Sequence, residues 1–145
     1  MIRKITAATL LIFSVFAFSC VANNNSQPIL APFTTDGCSL FPNGPIGKPD
    51  LWLHCCQAHD LDYWQGGTKT QRLLSDLRLQ SCVTDTGHKK IAVMMFNGVQ
   101  LGGSPFIPTP FRWGYGWPFP HGYKQLSSTQ QSQVKTLYPI QFREK

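Results

Sequence analysis

The sequence is poor in charged residues and, after its first 22 positions, in long apolar runs. Lysine, arginine, aspartate and glutamate make up only 14% of the 145 residues, whereas 42% are hydrophobic. That apolar fraction is too high for a disordered chain, and the 11 prolines and 12 glycines are too scattered for collagen. No internal repeat and no motif typical of RNA- or DNA-binding proteins is present. The length therefore fits one domain, and we expect no nucleic acid partner.

The N-terminus has the pattern of a secretory signal peptide. Two basic residues precede an apolar run over 5–18, which is shorter than the roughly 20 residues that cross a bilayer. We expect cleavage after Ala22, giving a signal peptide over 1–22 and a domain over 23–145. Alternatively, Cys20 is acylated as in bacterial lipoproteins. The protein is thus expected to be exported, as a secreted or periplasmic protein or as an outer-membrane lipoprotein held through Cys20.

Five cysteines are an odd number for a short exported chain. Because Cys20 falls in the signal region, the other four remain in an oxidising compartment, where two disulfides are the usual outcome. These four are Cys38, Cys55, Cys56 and Cys82. Four cysteines allow three pairings.

Capping residues and glycines predict four helices. These run from about 51 to 64, 69 to 83, 89 to 101 and 129 to 137. Asp50 is a candidate N-cap for the first, Thr68 with Gln71 forms a capping box for the second, and Ser128 with Gln131 repeats that pattern for the fourth.

The segments between these helices carry different signals. Residues 23–35 are predicted to be a loose polar stretch, and the turn formers in 36–49 predict an irregular loop. Aromatic residues alternate over 111–119, which predicts an extended segment with one aromatic face. That face either packs as a lid over the core or inserts at a lipid interface. Arg112 in this run is a candidate phosphate contact.

The short connection between the first two helices predicts an antiparallel pair. In such a pair, residues at equal height have a constant sum of residue numbers. The sum is 135 for His59 and Asp76 and 137 for Cys55 and Cys82, so the two pairs agree within about 3 Å of helix rise. This register places a carboxylate beside the histidine and favours a disulfide between those two cysteines, which leaves the other two for each other.

This arrangement contains the groups needed for ester hydrolysis. A buried histidine beside a carboxylate is a general base held in one tautomer. Asp60, next to a glycine-containing loop, can bind a hard cation together with backbone carbonyls, and such a cation polarises an ester carbonyl. A surface salt bridge between Asp76 and Arg72 is the alternative for that aspartate. A zinc site is the alternative for Cys55, Cys56, His59 and Cys82. The isolated His54, His88 and His121 are expected at the surface.

The motif residues resemble the signature of the secreted phospholipases A2. That signature has a calcium loop with a cysteine, here Asp36-Gly37-Cys38, followed by the Cys-Cys-x-x-His-Asp motif over 55–60 and a tyrosine at Tyr63. An aspartate, Asp76, stands six residues before a cysteine on the second helix. The match covers 36–83, whereas the aromatic and glycine-rich part over 102–145 has no counterpart.

The resemblance implies a role for each matching residue. His59 would be the base, Asp76 would orient it, and Tyr63 would hydrogen-bond Asp76. The ligands of a Ca²⁺ ion would be the Asp60 side chain and the carbonyls of Gly37, Ser39 and either Phe41 or Asn43. The disulfides would be Cys38–Cys56 and Cys55–Cys82, as the register also favours.

The implied fold is all-α: a small, disulfide-linked antiparallel helix pair with a calcium loop and without the β-wing of the animal enzymes. Two departures are a missing disulfide, whose positions are Asp62 and Ser75, and a calcium loop with fewer glycines. The implied activity is calcium-dependent hydrolysis of a phospholipid acyl ester at a membrane or micelle surface. A net charge of +6, or +4 without Arg3 and Lys4, suits an anionic phosphate surface or is merely solvated. The rivals are an inactive lipid- or protein-binding module and a structural envelope lipoprotein.

Overall fold

The structure, a computed structural model, describes residues 27–143. This part of the chain contains four α-helices and one short 3-10 helix but no β-strand, which confirms the all-α class. The helices are α1 at Leu53–Gln65, α2 at Lys69–Asp85, α3 at Lys89–Gly102 and α4 at Ser128–Leu137, with the 3-10 helix at Ile140–Phe142. The expected signal peptide, its cleavage site and Cys20 lie outside the described residues.

None of the helices within residues 27–143 is long and apolar enough to cross a bilayer.

Capping boxes begin two of the four helices. At α2, the Thr68 hydroxyl accepts from the Gln71 backbone N–H at 3.2 Å, and the Gln71 side chain accepts from the Thr68 N–H at 2.8 Å, as predicted. At α4, the box consists of Ser127 and Gln130, one residue earlier than the predicted pair. Each box satisfies two backbone N–H groups that the first helical turn leaves without partners.

The start of α1 was predicted wrongly. Asp50 does not cap this helix, which begins at Leu53 after an N-cap residue, Trp52, that makes no side-chain capping bond. Instead, Trp52 is 2% exposed, and its indole N–H donates to the Pro42 carbonyl at 2.7 Å. Packing of this tryptophan against the preceding loop therefore fixes where the helix starts.

Helix α2 packs against both α1 and α3. The disulfide between Cys55 and Cys82 and the bond between His59 and Asp76 join α1 to α2 in opposite chain directions, which confirms the antiparallel pair. The buried residues of this helical core are Cys38, Trp52, Cys55, Cys56, Leu79, Val83, Ala92 and Met95.

A second apolar cluster joins the end of α1 to α4. Its buried members are Leu30, Leu61, Trp64, Trp117 and Val134. Leu30 is 2% exposed, its N–H donates to the Gln133 side chain at 2.8 Å, and the Ala31 N–H donates to the Gly116 carbonyl at 2.8 Å. The prediction of a loose stretch is thus wrong for 27–35. Leu30 is buried in the second cluster, and the backbone on either side of it is hydrogen-bonded.

The aromatic segment does not form the predicted extended strand. Gly114 has φ +74°, and its N–H donates to the Tyr63 carbonyl at 2.6 Å, so the chain turns against the end of α1. Trp113 and Trp117 are each 1% exposed and donate indole N–H groups to backbone carbonyls of the α1–α2 connection and of α1. For these two tryptophans the lid interpretation is therefore correct, and the alternation reflects packing rather than strand geometry.

Candidate active site

The adjacent cysteines of α1 form disulfides in two directions. Cys55 bonds to Cys82 on α2, and Cys56 bonds to Cys38 in the loop before the helix. Both pairings agree with the predicted ones. Since residues four apart lie on one helix face, His59 follows Cys55 towards α2, and Asp60 follows Cys56 towards the loop.

His59 and Asp76 form a buried pair. His59 Nε2 lies 2.7 Å from Asp76 Oδ1, and the two residues are 7% and 0% exposed. The Tyr63 hydroxyl donates to the same oxygen at 2.8 Å. The three residues expected to form the histidine site are thus brought together, and their contacts are those predicted.

Asp76 has two further contacts, and sequence reasoning missed the one with Gln100. The Gln100 side-chain amide of α3 donates to Asp76 Oδ2, and Arg72 Nε lies 3.8 Å from that oxygen. The predicted alternative for Asp76, an ion pair with Arg72, therefore exists together with the histidine contact rather than instead of it. The ion pair is buried, not at the surface, because α3 covers it.

These contacts fix the protons of the site. A carboxylate only accepts hydrogen bonds, so His59 Nε2 carries its proton towards Asp76 and Nδ1 keeps the lone pair. Within residues 27–143, no group forms a hydrogen bond with Nδ1 of His59. This nitrogen is consequently the basic atom of the ring.

The loop before α1 is closed by side-chain bonds. The Cys38 N–H donates to the Asn43 side chain at 2.9 Å, and the Ser39 hydroxyl donates to Asp36 at 2.6 Å. The Asn43 carbonyl, one of the predicted cation ligands, already accepts from the Trp52 N–H at 3.0 Å. Of the two alternatives for that ligand, the Phe41 carbonyl is the one that does not accept this hydrogen bond from Trp52.

Asp60 points to this loop, away from α2. Its Oδ2 accepts a hydrogen bond from the Thr35 hydroxyl at 2.6 Å. Burial raises the pKa of Asp60 to about 7, the Thr35 bond opposes the rise, and the charge of Asp36 adds to it. Within residues 27–143, Asp60 forms no ion pair with a cationic side chain. This carboxyl group is therefore in a position where a bound cation would stabilise its ionised form.

A cavity of about 370 Å³ brings the predicted site residues together. His59, Asp60 and Tyr63 lie along one side, with the loop residues that include Gly37, Ser39 and Phe41. The remaining lining is Leu40, Leu79, Met94, Met95, Gly98, Val99, Gly102, Gly103 and Phe111, together with the Cys38–Cys56 disulfide. The cavity is therefore mostly apolar, with its polar groups on the α1 and loop side.

Apolar side chains of this lining also reach the solvent. Leu40 of the loop is 93% exposed, and Met94 of α3 is 51% exposed. Leu40 from the loop and Met94 from α3 both line the cavity, so its opening has exposed apolar side chains from two elements. Exposed apolar residues around a cavity are typical of sites that meet an apolar partner.

The structure excludes the zinc alternative. Three of its four ligands are cysteines whose sulfurs are in disulfides, so they are not the thiolates that zinc needs. A different group, His54 with the sulfurs of Cys55 and Cys82, lies close together but has the same disulfide-bonded sulfurs.

Two other predictions about single residues are wrong. His121 is 7% exposed and stacks on Trp117, with ring centroids 5.3 Å apart, so it is not a surface histidine. Arg112 is 8% exposed and donates to the carbonyls of Thr109 and Trp117. Its guanidinium holds a turn together and is not free to contact a phosphate.

Comparisons with known protein families, with curated proteins and with solved structures found no match for this chain.

Proposed function

We propose that the protein is a calcium-dependent hydrolase of phospholipid acyl esters, similar in mechanism to the secreted phospholipases A2. One observation carries the proposal: His59 is held by Asp76 on one nitrogen and keeps the other nitrogen unbonded beside an apolar cavity. An ester with long acyl chains suits a base placed against an apolar wall, because the chain is removed from water while the ester reaches the base.

The groups around Asp60 fit a calcium ion. They are oxygen donors, namely the carboxylates of Asp36 and Asp60, the hydroxyls of Thr35 and Ser39, and the loop carbonyls. Hard cations such as Ca²⁺ prefer these ligands. The raised pKa of Asp60 supports the same assignment, since a buried carboxylate without a cation is costly. When bound, Ca²⁺ supplies Lewis-acid chemistry at the ester carbonyl oxygen.

The chain's own residues account for the base step. His59 Nδ1 accepts a proton from a water molecule, which becomes the nucleophile, and the positive charge on the ring is stabilised by Asp76 through Nε2. Tyr63 keeps Asp76 in place by donating to the same carboxylate oxygen. The proton then passes from His59 to the leaving alcohol. Because water is the nucleophile, no acyl-enzyme forms.

The test is hydrolysis of anionic and zwitterionic phospholipid vesicles by the purified protein, with Ca²⁺ or with a chelator. We expect activity only with Ca²⁺, and a loss of about 10²-fold or more in His59→Gln. His54→Gln is the matched control, because this exposed histidine is on the same helix but outside the cavity. Activity that persists both with chelator and in His59→Gln would contradict the mechanism.

A second candidate is a lipid-binding module without turnover, and the loop favours it. Leu40 has φ +62°, a left-handed backbone conformation that glycine adopts more readily. A loop strained in this way by a bulky residue is less free to arrange its carbonyls around an ion. Calcium-independent vesicle binding without hydrolysis of any phospholipid would select this candidate over the hydrolase.

A further inference from the structure

Arg72 makes more contacts in the candidate site than the sequence indicated, since the sequence pointed only to its ion pair with Asp76. Its side chain leaves α2 one turn before Asp76 and is 7% exposed. Nε donates to the Tyr63 hydroxyl at 3.0 Å, and Nη1 donates to the Tyr123 hydroxyl. Nη2 donates to the carbonyls of Val99 and Gln100 at 2.7 and 2.9 Å. One guanidinium thus joins α1, α2, α3 and the chain at Tyr123, between α3 and α4.

We infer that Arg72 is a positioning residue that keeps Asp76 in the place from which that carboxylate sets the tautomer of His59. The Tyr63 oxygen accepts the Arg72 N–H, so the only proton of that hydroxyl is directed at Asp76. Asp76 receives this proton's bond and lies near the positive charge, and both contacts hold its carboxylate in place. An acceptor at that place requires the proton on Nε2 of His59, which leaves Nδ1 as the lone pair.

The same side chain fixes one wall of the cavity. The carbonyls of Val99 and Gln100 are in the last turn of α3, where helix carbonyls lack partners within the helix. Arg72 donates to both carbonyls, of which that of Val99 also accepts the Gly103 N–H at 2.9 Å, and it places a positive charge at the negative end of the helix dipole. Gln100, held in this way, donates in turn to Asp76 Oδ2. Arg72 therefore couples the position of the α3 wall to the acceptor beside His59.

A lysine cannot replace this function. An ammonium group is a point charge, whereas the contacts of Arg72 leave in three directions from a planar fork. Arg72→Lys keeps the charge near Asp76 but cannot hold Tyr63 and both α3 carbonyls at once. Arg72→Met keeps an apolar stem and removes charge and donors together. The two variants separate the charge from the geometry.

The experiment measures the tautomer of His59 by ¹⁵N ring spectroscopy at mildly alkaline pH in the full protein. We expect one Nε2–H tautomer in the wild type and a mixture in both Arg72 variants. Arg78→Met is the control, because Arg78 lies on the same helix but pairs with Asp62 at an exposed site. A single unchanged tautomer in folded Arg72→Met, or an Nδ1–H tautomer in the wild type, would overturn the inference. If Arg72→Met does not fold, Arg72→Lys decides alone.

The inference rests on the proposed function only for its kinetic consequence. If the protein hydrolyses phospholipids, Arg72→Lys should lower kcat about 10- to 100-fold with KM changed less than about threefold, since the base and not the cavity opening is affected. A rise in KM with unchanged kcat would contradict the positioning role. Absence of hydrolysis in the wild type would remove the proposed function and leave the spectroscopic test unaffected.

Discussion

At the scale of single residues, the site depends on close packing around Tyr63. Gly103, just after α3, faces this tyrosine so closely that an added Cβ would lie 2.5 Å from both its Cε1 and its hydroxyl oxygen. The backbone at Gly103 has a negative φ that other residues also adopt, so space and not conformation requires the glycine. Tyr63 cannot move away without losing its bond to Asp76.

Gly103→Ala should therefore displace Tyr63. We expect a loss of about 1–3 kcal/mol in the free energy of unfolding, as is usual for an overpacked core, together with reduced hydrolysis. The measurement is denaturant unfolding followed by aromatic circular dichroism.

Gly98→Ala provides the matched control for stability. Gly98 lies within α3, and an added Cβ there meets nothing within 4 Å. Because alanine favours helix over glycine, this variant should gain about 0.5–1 kcal/mol. Equal effects of the two substitutions would show that the contact with Tyr63 does not determine the need for glycine.

At the scale of elements, local capping signals determine where some helices begin, and tertiary packing determines where others begin. The capping patterns and glycines identified α2 and α4 within one or two residues, because a cap satisfies backbone groups that belong to its own helix. At α1 the local signal from Asp50 was wrong, since burial of Trp52 against a distant part of the loop outweighs it.

The contacts of the candidate site also fall into those that the sequence predicts and those that it does not. The register of two neighbouring helices is enough to bring His59 to Asp76, and it was predictable. The contacts of Arg72 and Gln100 depend on where α3 and Tyr123 lie, and no short-range spacing in the sequence determines that. The aromatic alternation misled for the same reason, because Gly114 turns the chain against α1.

The two candidate caps of α4 can be distinguished by substitution. Ser127 accepts the Gln130 N–H at 3.3 Å, whereas Ser128 is the first residue of the helix and makes no capping bond there. Ser127→Ala should lower the free energy of unfolding by about 1 kcal/mol. Ser128→Ala should change it by less than about 0.5 kcal/mol. Thermal unfolding of both variants measures the two losses. A larger loss in Ser128→Ala than in Ser127→Ala would show that Ser128, the residue expected from the sequence, is the cap.

At the scale of the whole molecule, the helical core and the second cluster meet along α1. The first holds the disulfides and the histidine site, and the second holds α4 and residues 27–35. His121 stacks on Trp117 of the second cluster and has a buried Nε2 with no hydrogen-bond partner among residues 27–143. Stability of the molecule should therefore depend on the charge of this one ring.

We expect His121 to lower the stability of the protein as the pH falls from 6.5 to about 4. Burial, with the charges of Lys124 and Arg112, lowers the pKa of His121 to about 4. In this window the His121 ring binds a proton in the unfolded chain but not in the folded chain, so its contribution to stability falls as the pH falls. Asp60, with a pKa raised to about 7, contributes in the opposite direction. The loss is at most about 3 kcal/mol.

Thermal unfolding across this pH range measures the effect. His121→Gln should remove this contribution, so the variant should lose less stability than the wild type from pH 6.5 to pH 4, by about this amount, because glutamine does not titrate. His88→Gln is the control and should retain the slope of the wild type. A slope that is identical in all three proteins would assign the acid sensitivity to other groups.

The two consecutive cysteines of α1 have a consequence for how this chain tolerates insertions and deletions. Cys55 and His59 form one row along the helix, and Cys56 and Asp60 form the next, about 100° around it. A residue inserted between 56 and 59 would rotate both functional side chains away from their own disulfides by that angle. The loop before the helix is joined to it by the Cys38–Cys56 disulfide and by the bonds of Trp52 to the carbonyls of Pro42 and Asn43. Length changes should therefore be rejected over 55–60, where the helical spacing sets the directions of His59 and Asp60, and also in the part of the loop that holds the candidate calcium ligands.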